Sequence, residues 1–264
     1  MAGDKLNIDV DGTVAIVALA DPSTLNAIGP GLCAALTEAF RALAAGGEVR
    51  AAILTGEGRA FCSGANLMDA SATIPAEGGP PDLERVVQRY YNPLVETLRA
   101  LPFPLLTAVN GPAAGIGCAL ALAGDLAVAA EGASFTPAFR RVGLVPDGGT
   151  TWLLPRLVGR ARAMEMVLLG ETFSAARALE WGLINRCVAD AELAPTALRL
   201  ARNLAEGPAS LALTRRLMWD SLDRTWPEQL AAEAAAQGTA GRTEDFKEGV
   251  AAFLQKRPPQ FSGR

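Results

Sequence analysis

The sequence predicts an α/β core with a helical C-terminal extension, and three observations lead to this fold class. Half of the 264 residues are apolar and 20% are charged, which is typical of a chain that buries a core. Through residue 139, short apolar or alternating runs exchange with runs of helical spacing. After Thr150 the spacing is helical nearly to the end. Strands mixed with helices, followed by helices alone, indicate an α/β fold with a helical addition.

The strands are predicted in the first half of the chain. Two alternating segments meet at Asp11-Gly12, which is typical of a hairpin with a tight turn. We expect strands at residues 6–10, 13–19, 50–55, 105–109, 126–130 and 134–139. Residues 71–81 are polar and rich in glycine and proline, so a loop is predicted there.

The helices are predicted from apolar positions that repeat every three to four residues. One helix covers residues 32–45 and ends at Gly46-Gly47. Residues 82–100 form an amphipathic helix that Pro93 kinks or splits, because proline has no amide hydrogen to donate. An almost entirely apolar helix follows Gly115. Further helices are predicted at residues 161–169, 175–181, 191–204, 211–222 and 246–254.

Composition and charge exclude several classes of function. The net charge of −4 and a pI near 5.1 give no bulk attraction for nucleic acid or anionic lipid. The chain has no histidine, which excludes Ser-His-Asp and Cys-His catalysis and most zinc sites. Proton transfer must therefore use carboxylates, Lys, Tyr, Cys or water.

The sequence also bears on the compartment. The start of the chain, MAGDKLNIDVDG, has no apolar stretch, so we do not expect a signal peptide there. Residues 100–124 carry no charge, but prolines break them into pieces too short to span a membrane. No CxxC pair occurs among the cysteines, which are Cys33, Cys62, Cys118 and Cys187. We expect buried thiols in a cytoplasmic protein without membrane or nucleic-acid partners.

Two glycine-rich turns each follow a predicted strand, at residues 61–67 and 110–119. The second has no GK[ST], and Leu120 stands where a dinucleotide-binding fingerprint needs its third glycine. Such turns leave backbone amides with little side-chain cover, and the helix after Gly115 adds its positive end. Two converging amides would form an oxyanion hole, while tight strand-to-helix packing would also require small residues. The residues leave both interpretations open.

Residues 143–156, GLVPDGGTTWLLPR, hold one acid, Asp147, between Pro146 and two glycines. Aspartate is a preferred N-cap, and a helix from Thr150 onward would favour an anion at its start. A carboxylate placed by a Pro-Asp-Gly turn can also act as an acid–base. From this stretch alone, helix capping and catalysis both remain candidates.

Three motifs in register carry a family resemblance: FCSGANL, VNGPAAGIGCALALAGD and GLVPDGGTTWLLPR. In this order and at these separations they resemble the crotonase (enoyl-CoA hydratase/isomerase) superfamily, over essentially the whole chain. The segments YYNPLVETL, PDGGTTWLLPRLVGRARAME and EDFKEGVAAFLQKRPPQF are similar to the 1,2-epoxyphenylacetyl-CoA isomerases of aerobic phenylacetate breakdown. The resemblance implies a spiral of ββα units in residues 1–194 and a helical trimerisation region in residues 195–264.

The resemblance also implies a substrate and a set of site residues. The substrate is an acyl-CoA thioester whose carbonyl is held by the backbone N–H groups of Ala65 and Ile116. The CoA moiety is expected to lie along Leu25, Ala27, Ser63, Gly64, Asn66 and Gly115. Asn66 replaces the aspartate usual in this motif, an exchange expected to weaken a local hydrogen bond but not the Ala65 donor. CoA enters as part of the substrate, and no metal or redox cofactor is expected.

Two departures from the family pattern concern the groups that activate water. Hydratases of the family use two glutamates, and the corresponding positions here are Ala119 and Phe139, which cannot accept a proton. The remaining candidate is Asp147, because dienoyl-CoA isomerases and the phenylacetate-pathway isomerases carry a catalytic aspartate at this motif position. Apolar neighbours would raise its pKa from the ordinary value of about 3.9.

We therefore expect an acyl-CoA isomerase with Asp147 as its acid–base, assembled as a homotrimer or homohexamer. One alternative is a hydratase of 2-enoyl-CoA in which another group activates water. A dehalogenase-like enzyme with Asp147 as nucleophile is disfavoured, because that chemistry uses a histidine. A non-catalytic CoA-binding or RNA-binding module is disfavoured by the net charge of −4 and by the presence of Asp147.

Charged residues outside these motifs receive structural predictions. Asp125 is expected to tie a loop. Arg156, Arg160 and Arg162 could meet CoA phosphates, but we expect a solvated helix face.

Two further pairs of residues remain near the predicted site. Cys62 and Cys118 flank the glycine-rich turns and are expected to pack without a nucleophilic role, since no partner base is visible. For Tyr90 and Tyr91, packing in the core and lining of the acyl pocket are equally supported.

Overall fold

A computed structural model of the chain describes residues 5–67, 69 and 82–264. Its strands are β1 (Leu6–Asp11), β2 (Val14–Leu19), β3 (Ala51–Gly56), β4 (Leu105–Val109), β5 (Ala113–Ala114), β6 (Leu126–Ala130), β7 (Ser134–Thr136), β8 (Phe173–Ser174) and β9 (Arg186–Val188). The predicted α/β class is confirmed. The loop predicted at residues 71–81 lies outside the described residues.

The larger sheet has the strand order β1-β2-β3-β4-β6-β9. Strands β1 and β2 pair antiparallel with Asp11 opposite Val14, which confirms the hairpin, and the other neighbours are parallel. All residues of β4 are buried, as expected for a parallel strand covered on both faces. A smaller sheet joins β5, β7 and β8. Because β5 ends directly before Gly115, this sheet positions the second glycine-rich turn.

Most of the other regular elements in the described residues are α-helices. They are α1 (Pro30–Gly46), α2 (Leu83–Val86), α3 (Asn92–Arg99), α4 (Ile116–Leu122), α5 (Thr150–Leu169), α6 (Ala175–Glu180), α7 (Leu193–Ala205), α8 (Ser210–Ser221), α9 (Trp226–Ala240) and α10 (Glu244–Gln255). Helix α7 packs its buried alanines against the larger sheet. The predicted division between residues 194 and 195 falls at the start of α7 and stays a prediction. In the part of the chain described, no helix combines the length and apolarity that crossing a membrane requires.

Two sequence predictions of secondary structure are corrected. The strand predicted at residues 134–139 ends at Thr136, and a 3-10 helix covers Ala138–Val142. Pro137 separates them, because proline offers no amide hydrogen to a β-ladder. The chain after Thr150 is not helical throughout, since β8 and β9 interrupt it. Strands of two or three residues are too short to produce a periodic signal.

The helix predicted at residues 82–100 is split, as expected from Pro93. Helix α2 leads into a π-helical turn at Val87–Tyr91, and α3 follows. In this wide turn the Asn92 N–H donates to the Val87 carbonyl, five residues earlier. The next residue, Pro93, has no amide hydrogen with which to continue the α-helical pattern. Turns of this kind are rare and often occur at functional sites.

Asp125 links helix α8 to strand β4 through hydrogen bonds. The prediction that Asp125 has a structural role is therefore confirmed. Its Oδ2 accepts from the Leu105 N–H at 2.7 Å and from Arg215 Nε at 2.6 Å. Its Oδ1 accepts from Trp219 Nε1 at 2.7 Å. The Arg215 side chain is 4% exposed and also donates to three backbone carbonyls at and just after the end of α3. Both oxygens of this carboxylate are therefore partnered.

Candidate active site

The two glycine-rich turns lie side by side. The Ala114 N–H donates to the Cys62 carbonyl at 2.9 Å. A Cβ placed on Gly64 would lie 2.8 Å from the Ala114 carbonyl oxygen and 3.8 Å from Gly115 Cα, and Gly64 has a φ of +103°. Packing therefore requires glycine at position 64. The same close approach brings the next residue, Ala65, towards the second turn.

The backbone amides of Ala65 and Ile116 each follow one of these glycines. Within residues 5–67, 69 and 82–264, neither amide hydrogen has a hydrogen-bond acceptor. Ile116 is the first residue of α4, so its N–H lies at the positive end of the helix dipole. The Gly115 N–H donates to the Thr136 carbonyl at 2.9 Å, which holds the turn in place. Two such donors can stabilise a developing oxyanion.

The segment at residues 25–28 runs along the first turn. The Leu25 carbonyl accepts from the Ser63 N–H at 2.9 Å, and the Ile28 N–H donates to the Gly64 carbonyl at 2.8 Å. Between them Asn26 is fully buried, and its side-chain amide donates to two backbone carbonyls that follow β3. The sequence predicted that residues 25–27 lie along the CoA moiety, but not this buried hydrogen-bonding role of Asn26, because a single asparagine gives no signal of its burial.

A cavity of about 150 Å³ opens where both turns approach the loop that carries Asp147. The residues predicted for the site that line it are Ser63, Gly64, Ala65, Asn66, Gly115, Ile116 and Asp147. The remaining described wall is largely apolar and consists of Leu67, Leu83, Val86, Val87, Tyr91, Ala138, Phe139, Val142 and Leu144. Leu25 and Ala27 lie on the neighbouring segment, outside the described lining. Most of the predicted site residues thus meet in one cavity.

The Asp147 side chain does not cap helix α5. The N-cap residue of α5 is Gly149, and no side chain of the described residues makes the capping hydrogen bond. Instead, the backbone carbonyl of Asp147 accepts from the Thr150 N–H at 3.0 Å and from its hydroxyl at 2.6 Å. The capping interpretation of the carboxylate is therefore wrong. The carbonyl closes the turn, and the carboxylate faces the cavity.

The Asp147 carboxylate has few hydrogen bonds to offset the free-energy cost of its burial. Its Oδ1 is buried and has no hydrogen-bond partner among the described residues. Burial raises the pKa of Asp147 to about 6, and a hydrogen bond from its own backbone N–H offsets part of this effect. Such a carboxylate is mostly ionised at pH 7 and can both accept and return a proton.

The loop that carries Asp147 packs closely on α4. Gly148 and Gly149 have φ values of +60° and +80°. A Cβ placed on Gly148 would lie 3.0 Å from the Ala119 Cβ. Glycine at position 148 therefore satisfies both the left-handed backbone and the close contact. The contact fixes the distance between Asp147 and the start of α4.

The cysteines beside the turns are buried thiols. Cys62 and Cys118 have no exposed surface. Burial raises the pKa of each thiol to about 12, so both stay protonated at neutral pH. Their predicted packing role is confirmed. The described residues contain no cluster of three or more Cys, Asp or Glu side chains that could hold a metal ion.

The three arginines of α5 are exposed, Arg156 before and Arg160 and Arg162 after a break in the helical backbone at Gly159. Arg156 and Arg162 stack on tryptophan rings, with guanidinium carbons 4.1 and 5.1 Å from the ring centroids. Arg160 is exposed, and all three lie outside the described lining of the cavity. The prediction of a solvated face is confirmed.

The two neighbouring tyrosines separate in the structure. Tyr91, at the end of the π turn, lines the cavity and is 5% exposed. Tyr90 packs against the core as a partly buried residue. Tyr91 therefore both packs in the core and lines the cavity, whereas Tyr90 has the packing role alone among the described residues.

Comparison with known proteins decides the family. The sequence model of the Enoyl-CoA hydratase/isomerase family matches residues 9–264. The chain belongs to this family. It is 45% identical to the 1,2-epoxyphenylacetyl-CoA isomerase of Escherichia coli (strain K12) over 97% of each chain. It is 44% identical to a Rhodobacter capsulatus protein named "Probable enoyl-CoA hydratase" over 100% of each chain.

Solved structures of enoyl-CoA hydratases have the same fold. The one from Bacillus anthracis superimposes with a TM-score of 0.92 at 29% identity, covering 98% of this chain and 100% of that chain. The one from Polaromonas sp. JS666 gives 0.90 at 36% identity, covering 97% and 99%. The crotonase fold expected from the sequence is therefore confirmed.

The two positions at which the sequence analysis expects the glutamates of a hydratase carry no acid group. Ala119 is fully buried in α4 beside Gly148, and Phe139 forms part of the apolar wall of the cavity. Neither side chain can bind or deprotonate water. Among the described lining residues, Asp147 is the one with a carboxylate.

Proposed function

We propose that this chain is an acyl-CoA isomerase in which Asp147 is the acid–base. The observation that carries the proposal is the buried Asp147 Oδ1, which has no partner among the described residues and belongs to the cavity that Ala65 and Ile116 also line. A buried polar atom without a partner costs free energy of folding, so its retention points to a use. A pKa of about 6 suits proton transfer near neutral pH.

The thioester carbonyl oxygen would lie between the N–H groups of Ala65 and Ile116. Polarising this carbonyl makes the proton on the α-carbon acidic and stabilises the enolate that forms. Each donor of an oxyanion hole contributes about 3–4 kcal/mol to this stabilisation. The CoA moiety would follow the two turns and the neighbouring segment, along Leu25, Ala27, Ser63, Gly64, Asn66 and Gly115.

With a 3-enoyl-CoA, the reaction moves one proton. Asp147 takes a proton from C2, and the electron pair spreads through the former C3–C4 double bond into a dienolate held by the two amides. Protonated Asp147 then returns the proton to C4, which leaves the double bond between C2 and C3. No atom is gained or lost, and the carboxylate is regenerated.

An aromatic acyl group is the preferred substrate in this proposal. The 45% identity to a 1,2-epoxyphenylacetyl-CoA isomerase supports it. The apolar wall formed by Val86, Val87 and Phe139 offers a surface for a ring. With 1,2-epoxyphenylacetyl-CoA, Asp147 and the two amides would assist epoxide opening and ring expansion to the oxepin, a step of phenylacetate breakdown. CoA is part of the substrate, and the proposed steps need no metal or redox cofactor.

We further propose a homotrimer or homohexamer in the cytoplasm. Trp226, Phe253 and Leu254 of α9 and α10 are 75%, 83% and 74% exposed. Apolar side chains of this size at the surface support subunit contacts through the C-terminal helices. The four cysteines are free thiols, which supports a reducing compartment.

Hydration of 2-enoyl-CoA is the second candidate function. The Rhodobacter capsulatus and Bacillus subtilis relatives named as probable hydratases favour it. Water addition in this family is expected to use two carboxylates, whereas Asp147 is the one carboxylate in the described lining. Isomerisation is therefore better supported.

The test compares wild type with Asp147→Asn in the conversion of trans-3-hexenoyl-CoA to its 2-enoyl isomer. We expect the variant to lose about 10²-fold or more of its rate, since a general base is removed. Asp9→Asn, on an exposed position of β1, is the matched control and should retain full activity. Equal rates for wild type and Asp147→Asn would refute the role of Asp147. Hydration of trans-2-hexenoyl-CoA at a rate comparable to isomerisation would favour the hydratase.

A further inference from the structure

Tyr91 brings a hydroxyl group into the largely apolar wall of the cavity. It is the last residue of the π turn at Val87–Tyr91, and Val86 and Val87 also line the cavity. A phenylalanine would fill the same space without burying a hydroxyl. Burying a hydroxyl without a good partner costs free energy, so the hydroxyl of Tyr91 requires an explanation.

The Tyr91 hydroxyl is weakly engaged. Its acceptor within the described structure is the Ile28 carbonyl at 3.4 Å, which is long for an O–H···O hydrogen bond. The same carbonyl already accepts from the Asn66 N–H at 3.1 Å. The hydroxyl can therefore exchange Ile28 for an oxygen of a bound ligand at small cost, and the Ile28 carbonyl keeps a partner.

The Tyr91 hydroxyl also lies within the electrostatic influence of Asp147. Burial raises the pKa of Tyr91, and the neighbouring Cys33 and Asp147 raise it further. The phenol is therefore neutral at physiological pH and acts as a hydrogen-bond donor. The other hydroxyl in the described lining, that of Ser63, already donates to the Thr24 carbonyl at 2.9 Å. Tyr91 is thus the hydroxyl best able to donate to an acyl group near Asp147.

We propose that the Tyr91 hydroxyl selects acyl groups that carry an oxygen atom, by donating a hydrogen bond to that oxygen. The inference rests on the proposed function and narrows its substrate class to CoA thioesters of oxygenated cyclic or aromatic acids. The hydroxyl recognises the acyl oxygen, while Asp147 acts on neighbouring carbons. A plain hydrocarbon chain would leave the hydroxyl with its weak contact to Ile28.

The test measures binding without turnover. Dissociation constants of phenylacetyl-CoA and 2-hydroxyphenylacetyl-CoA are determined by calorimetry for wild type, Tyr91→Phe and Tyr90→Phe. Wild type is expected to bind the hydroxylated ligand about 5- to 10-fold more tightly, as one neutral hydrogen bond provides. In Tyr91→Phe the ratio should fall to about one. Tyr90→Phe alters the neighbouring tyrosine, which packs on the core, and should keep the wild-type ratio.

Two results would overturn the proposal. The first is equal binding of both ligands by wild type, a result that refutes the proposal whatever the variants do. Alternatively, Tyr91→Phe could keep the wild-type ratio, which would assign the preference to another group and leave Tyr91 a packing role. The binding test does not depend on turnover. A protein that lacks isomerase activity but shows a Tyr91-dependent binding preference would therefore refute the isomerase proposal and leave the proposal for Tyr91 intact.

Discussion

Asp125 and Asp147 are two aspartates of one fold with opposite surroundings. Asp125 accepts from Leu105, Arg215 and Trp219, so both of its oxygens are partnered. Asp147 has a buried Oδ1 with no partner in the described structure, and burial raises its pKa to about 6. The hydrogen-bond partners of each carboxylate, rather than its burial, distinguish the structural Asp125 from Asp147, the proposed acid–base.

The difference follows from how each loop is held. Asp125 lies directly before β6 and meets donors from β4 and α8. Asp147 lies in a turn closed by its own backbone carbonyl and by two glycines with positive φ. The turn therefore keeps its shape without help from the carboxylate. A side chain that is not needed to hold its own loop is available for chemistry.

The largest predicted effect tests the structural half of the comparison. Asp125→Asn should lower the free energy of unfolding by about 3–5 kcal/mol, because Arg215 is left buried beside a neutral partner. The measurement is urea unfolding at fixed protein concentration. Asp223→Asn removes an exposed ion pair with Arg99 and should have a much smaller effect, because solvent screens exposed charges. A loss at Asp125 no larger than that at Asp223 would contradict the account.

The second-largest predicted effect concerns the backbone N–H of Ile116, which is proposed to hold the thioester carbonyl while Asp147 transfers the proton. Ile116→Pro deletes one proposed oxyanion donor, at a first helical position where proline is tolerated. We expect kcat to fall by about 10²–10³-fold. Ile116→Ala is the matched control, because it removes the side chain and keeps the N–H. The rates of the two variants are compared with trans-3-hexenoyl-CoA; similar rates would show that the Ile116 amide is not a donor to the substrate.

A smaller effect tests the cost of keeping Asp147 charged. Its pKa is raised from 3.8 to about 6 on folding, so the ionised carboxylate destabilises the folded state above pH 6. Asp147→Asn should therefore be more stable than wild type at pH 8, by at most about 3 kcal/mol. The difference should shrink as the pH falls from 6 to 4, where wild-type Asp147 becomes protonated. Urea unfolding of wild type and variant at pH 8 and at pH 4 measures this difference in stability. A variant less stable than wild type at pH 8 would contradict the prediction.

Much of the fold could be predicted from the sequence, because the hydrophobic periodicity of a strand or helix is visible within that segment alone. The hairpin of β1 and β2 and the buried strands β4 and β6 were predicted to within one residue. Strand β9 was missed, since three residues at a sheet edge have no periodicity of their own. The end of β7 was misplaced, because its apolar pattern continues past Pro137 into Phe139.

The candidate site was predictable only in part. Family motifs pointed to Ala65, Ile116 and Asp147, and these three line one cavity. The apolar wall from α2 and the π turn was not predicted, because it depends on how these segments fold back over the turns. The choice between Tyr90 and Tyr91 likewise depends on the wide turn at Val87–Tyr91, which adjacent positions in a sequence cannot reveal.

The most direct test of the central claim is an NMR titration of the Asp147 side-chain carboxyl carbon, assigned by its absence in Asp147→Asn. The account predicts a pKa of about 6, and the same value for the acid limb of kcat/KM in trans-3-hexenoyl-CoA isomerisation, with activity falling below it. A carboxyl that titrates near the ordinary value of 3.8, or a rate whose acid limb does not follow it, would contradict the claim that Asp147 is the base.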